Sequence, residues 1–177
     1  MKEFLEKLAP YHFFNYLLPG ALFVILVDKI VGYNFYQTDI ILGLLLYYFI
    51  GLSISRIGSL IIEPLLRKTR FVVFADYKDF LSASKDDTKI EVLSEVNNMY
   101  RTLCALFTLL LLLKIYKAIV STYTVLATWN EYILIGLLLV MFLYSYKKQS
   151  GYITNRVNAV SENKTEDKKS VSKRVTK

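Results

Sequence analysis

Cysteine and histidine each occur once in these 177 residues, and proline only three times. A lone Cys104 cannot form an intrachain disulfide, and a lone His12 has no partner histidine for a metal site or a relay. Neither HExxH, GxSxG, a P-loop, GxGxxG nor a paired-cysteine motif is present. Long polar stretches are also missing. No segment between the apolar runs exceeds about 40 residues, too few for an ordinary soluble core. A conventional soluble catalytic domain is therefore excluded, and no catalytic, cofactor or metal-binding residue is assigned.

What the chain has instead is hydrocarbon. Its content is 54% hydrophobic and its mean hydropathy is +0.37, outside the usual soluble range. Four apolar segments stand out, at about 12–31, 40–62, 102–121 and 131–146, with aromatic residues at their margins. The expected fold is an all-α integral membrane protein with four transmembrane helices, the third extended into the cytoplasm as a long arm. Four regions follow: 1–63, an amphipathic start and two spans; 64–101, a cytoplasmic helical region; 102–146, two more spans; and 147–177, a basic and mostly disordered tail, with order ending near Asn158. In residues 1–10 the apolar Phe4, Leu5 and Leu8 oppose charged neighbours, as in a helix lying on a membrane surface. The first span lacks a small-residue cleavage site and is expected to be retained.

Charge placement sets the expected orientation. Seven Lys/Arg lie in 64–101 and nine from 147 onward, against Lys29, Lys114 and Lys117 on the other side. Both termini and the 64–101 loop should then be cytoplasmic, in the inner membrane. The net charge of +7 is read as a topology signal and as affinity for anionic headgroups, with no specific nucleic acid expected.

Residues 87–120 read as one helix that crosses the membrane and projects from it, with Asp86, Asp87 or Thr88 as its cap. Ile90, Leu93, Asn97, Tyr100, Cys104, Phe107 and Leu111 recur at alternating spacings of three and four, a heptad seam. An Asn within such a seam fixes register and oligomer number. Cys104 is read as a small packed hydrophobe. In span two, Gly51, Ser55 and Ser59 recur every four residues, a face that admits a close helix partner in the same chain or another. Phe74, Tyr77 and Phe80, with Phe71 and Leu81, repeat at helical spacing and, with Tyr100, form the expected docking face for a soluble cytoplasmic protein.

Polar residues inside the spans are the remaining candidates. Asn15, Arg56, Glu63 and Arg101 fall at the inner end, while Asp28, Lys114 and Lys117 fall at the outer end. Arg56 is expected to snorkel or to pair with Glu63 two turns on; Lys114 and Lys117 are expected to snorkel or to meet Asp28. Pro19 should kink span one, and Glu63-Pro64 should end span two. The overall plan, a small four-span subunit with a basic loop and tail, resembles membrane components of bacterial anti-phage systems that work with a soluble partner. That likeness is architectural and rests on no motif. The expectation is a homo-oligomeric, non-enzymatic membrane protein that docks a soluble partner and acts on the membrane. Alternatives are a passive anchor for that partner and a small solute transporter.

Overall fold

The computed structural model describes residues 11–123 and 127–175, as backbone only beyond Ser161. The expected surface helix of residues 1–10 lies outside them. Five helices account for most of the chain: α1 (Phe13–Val31), α2 (Ile40–Lys68), α3 (Tyr77–Asp86), α4 (Lys89–Thr122) and α5 (Asn130–Val175). Among the described residues there is no strand. Three helices, α1, α2 and α4, are long and apolar enough to cross a membrane. The apolar run of α5, Tyr132–Tyr146, is about 22 Å long, short of a bilayer core of about 30 Å, and α5 is not among the helices marked as spans by length and composition.

Two of the prolines shape the helices without ending them. Pro19 and Pro64 each follow a single π turn, at Phe13–Leu17 and Gly58–Ile62. A proline ring clashes with the carbonyl four residues back; widening the preceding turn relieves the clash, and the helix continues. Thus α2 runs on to Lys68, past the break expected at Glu63-Pro64. It closes with Arg70 at φ 58°. There Phe71 N–H donates to the Leu66 carbonyl and Arg70 N–H to that of Arg67, a Schellman arrangement with arginine where glycine is usual.

The expected small-residue contact is within the chain. A Cβ on Gly20 would lie 1.7 Å from the Tyr47 carbonyl oxygen, and one on Gly51 would lie 1.8 Å from that of Tyr16. Antiparallel α1 and α2 therefore cross backbone against backbone at this glycine pair. Gly58 performs the same service about two turns later for α4, where a Cβ would meet the Arg101 carbonyl at 3.2 Å. Ser55 and Ser59 are buried alongside. Phe23, Val27, Val31, Ile54, Ile62, Ala105, Leu106 and Leu110 fill the core between these three helices.

Helix α4 is one continuous helix of 34 residues, as the sequence implies. Asp87 starts it, its Oδ1 accepting from Lys89 N–H at 2.9 Å. The buried stripe is Thr102, Ala105, Leu106 and Leu110. Leu93, Tyr100, Phe107 and Leu111 are more than half exposed, so the heptad seam is a different face, largely open in the single chain. Cys104 belongs to that face and is exposed, correcting its reading as a packed residue. Helix α3, capped by Asp76, packs on α4 and buries Leu81. It begins at Tyr77, so Phe71 and Phe74 precede it in an irregular segment instead of sharing its face.

Helix α5 runs beside α2 in the same direction, with Phe142 at 6.0 Å from Phe49 and Lys148 on Ser59. Its backbone stays helical to Val175, beyond the point near Asn158 where disorder was expected. Beyond Gly151 the sequence has no glycine or proline to stop it.

Candidate functional site

The first turn of α1, the end of α2, the middle of α4 and Lys148 of α5 meet at one end of the bundle, called here the basal end. Glu63 is the hub. Its Oε2 accepts from Arg101 Nη1 at 2.5 Å, and its Oε1 lies 3.5 Å from Lys148 Nζ. Lys148 Nζ also donates to the Ser59 carbonyl at 2.6 Å and to Ser59 Oγ at 2.8 Å. Backbone chemistry explains that choice. The N–H of Glu63 is taken by the Gly58 carbonyl across the π turn, and Pro64 has no N–H. The Ser59 carbonyl is left without a helical donor, and the Lys148 ammonium supplies one.

Arg56 does not reach Glu63. Seven residues on an ideal α-helix return to the same face, but the π turn at Gly58–Ile62 intervenes and turns Glu63 toward α4. Arg56 Nη2 donates instead to the Tyr16 hydroxyl at 3.3 Å. Around it stand aromatic rings: Tyr16 lies edge-on to Tyr11 and Tyr48, and the Tyr48 hydroxyl is 3.0 Å from His12 Nδ1. The phenol of Tyr11, just before α1, is pushed well above its usual range by burial and then by its hydrogen bond with Tyr16. Asn15 is buried beside this cluster with its Oδ1 unpartnered.

The expected inner-end grouping of Asn15, Arg56, Glu63 and Arg101 is thus brought together, with different partners. Lys148 was missed, having been counted only as tail charge. Matching the depth of the fourth apolar run to that of span two would have set it level with Glu63. The tyrosine cluster was also missed, because tyrosines near span ends read as an interfacial belt.

At the far end the lysines are also differently employed. Lys114 Nζ donates to the Ile30 carbonyl at 2.6 Å and Lys117 Nζ to that of Val31 at 2.5 Å, while Asp28 is paired with neither. They cap the C-terminus of α1, where the last carbonyls are orphaned and a cation suits the helix dipole. Gly32 at φ 80° ends that helix and keeps the space Lys117 occupies.

A second feature lies where α4 leaves the bundle. A cavity of about 190 Å³ is bounded by Phe71 and Phe74 on one wall and Asn97, Tyr100 and Cys104 on the other, with Glu63 and Arg101 at its base. Arg67 stacks on the Phe74 ring at 5.3 Å. Tyr77 and Phe80 are about one-third exposed on α3 nearby in the chain. Asn97 is exposed at this cavity, on the free seam. Among the described residues, no three His, Cys, Asp or Glu side chains converge as metal ligands would. Comparisons with protein-family models, curated proteins and solved structures return no match for this chain.

Proposed function

We propose that this chain is a non-enzymatic, homo-oligomeric membrane protein that docks a soluble partner and acts on the membrane it spans. The observation that carries this reading is the division of labour on α4. One face packs the chain's own core, and the seam through Leu93, Asn97, Tyr100, Cys104, Phe107 and Leu111 remains open along the same helix. A seam that bears an Asn midway and crosses from polar into apolar sequence is suited to a second copy in register. The apolar run of α5, Tyr132–Tyr146, which lies along α2, is proposed as a fourth crossing. The excess of Lys/Arg beside the basal end then sets that end and both termini in the cytoplasm of a cell's inner membrane.

On this reading α3 and the Phe71–Phe74 wall of the cavity, which the seam does not use, form the docking face, with Tyr100 at its border with the second copy. A 190 Å³ recess accepts one large apolar side chain of a soluble partner. A role beside a soluble effector in antiviral defence is the biological setting that suits such a plan.

The single cysteine supplies the test. Cys104 lies on the seam and is exposed, so two copies joined there bring their thiols together. Oxidation in native membranes with a lipid-permeant copper complex should yield a disulfide-linked dimer, abolished by Cys104→Ser. A chain that stays monomeric under oxidation and in detergent overturns the proposal. A potential-sensitive dye then separates action on the membrane from simple anchoring: depolarisation on expression with the partner supports the former, and an unchanged potential rejects it.

A further inference from the structure

The crevice between α2 and α5 at the basal end is bordered by Leu60 and by the polar Arg56, Ser59, Ser145, Lys148, Gln149 and Tyr152. Each of the six polar side chains can donate a hydrogen bond and none is acidic. Ser145 Oγ is buried there without a partner. Charge points the same way. Among the described residues here, Arg56, Arg101 and Lys148 stand against one carboxylate, Glu63, a surplus of two positive charges. Glu63 is committed to Arg101 and Lys148, so among the described residues Arg56 is the cation without an acid; its bond to Tyr16 is long.

An uncompensated arginine at the margin of a membrane is costly unless something anionic or aqueous reaches it. The crevice defines what can reach it. Its volume of about 10 Å³ holds one water-sized group. A phosphate oxygen fits, while the rest of the anion stays outside, at headgroup depth. Basic recesses between helices at a membrane face bind lipid phosphates by this means.

We propose that this crevice binds an anionic phosphate group, one oxygen entering between Arg56 and Ser145 with Lys148 and Gln149 at the rim. Such a phosphate belongs either to a phospholipid headgroup or to a soluble phosphate. The inference rests on the membrane placement proposed above but not on assembly, since every residue involved belongs to one chain.

The test uses full-length protein in neutral detergent, with bound lipid read by native mass spectrometry. Phosphatidylglycerol and phosphatidylcholine of identical acyl chains are titrated separately. Wild-type protein should retain the glycerol lipid about tenfold more tightly, and Arg56→Gln should erase the difference. Lys117→Gln, which removes a cation at the far end, should leave it intact. Ser145→Leu fills the crevice while keeping every charge, and should lower retention even if Arg56→Gln proves unfolded. Millimolar inorganic phosphate that displaces the lipid identifies a soluble ligand for the site, and failure to displace it identifies the lipid. Equal retention of both lipids by wild-type protein, or undiminished preference in Arg56→Gln and Ser145→Leu, overturns the proposal.

Discussion

The two ends of the bundle handle positive charge in opposite ways. At the far end Lys114 and Lys117 both turn to backbone, completing the last turn of α1. At the basal end Lys148 also completes a backbone, at Ser59, but Arg101 is held by a side chain and Arg56 by a phenol. Both ends contain cations at the margins of apolar helices. Among the described residues, the basal end pairs two of its cations with a carboxylate and adds unpartnered polar atoms and a crevice. Charge within a span is therefore poor evidence of function until its partners are known. A lysine on orphaned carbonyls is helix capping; an arginine short of an acid calls for a ligand.

The largest effect should come from disturbing what holds the two ends in register. Gly51→Leu forces side-chain atoms into the Tyr16 carbonyl. A loss on the order of 3 kcal/mol is expected, read as loss of membrane expression or a collapsed detergent melting curve. Unchanged melting of Gly51→Leu would mean α1 and α2 do not cross here.

Next in size is the hub. Glu63→Gln leaves Arg101 and Lys148 without their shared anion. A loss of about 2 kcal/mol is expected, smaller than for a fully buried pair because both partners are partly wet. Thermal unfolding measures it, and a neutral result would reassign the network to solvent.

Arg56→Gln and Lys117→Gln sharpen the contrast most directly. Lys117→Gln removes one capping cation and should cost about 0.5 kcal/mol, with activity kept. Arg56→Gln should impair activity while folding normally, measured as dye-reported depolarisation beside a partner. Equal tolerance at both positions would erase the difference between the ends.

The smallest effect on stability belongs to Asn97, which is exposed in the single chain. Asn97→Val should leave the monomer's melting within about 0.5 kcal/mol, as for other surface substitutions. The same change should alter the number of copies per assembly, read by mass in detergent. An unaltered assembly would remove the seam from the interface.

Much of this was legible in the residues. The continuous α4, the small-residue face of α2 and the sorting of Asn15, Arg56, Glu63 and Arg101 from Lys114 and Lys117 all follow from composition and depth. Pairing did not follow. Arg56 and Glu63 are seven apart, and hydropathy carries no record of a π turn between them. Pro64 was the available signal, but a proline announces a disturbed turn without saying whether the helix stops or widens. Lys114 and Lys117 illustrate the same limit, since orphaned carbonyls are absent from any pattern of side chains. Nor could spacing alone decide whether Gly51 met its own chain or another; the matching Gly20 in α1 decided it.

The bond between Lys148 and the Ser59 carbonyl also has a place in time. As the chain is synthesised, α2 is complete in sequence some 80 residues before Lys148 exists. Throughout that interval Pro64 leaves a carbonyl of α2 with no donor from its own helix, in surroundings where water is scarce. The last helix therefore supplies the donor that the second lacks. A chain ending before Lys147 lacks the ammonium that satisfies this carbonyl, and one that includes Lys148 supplies it.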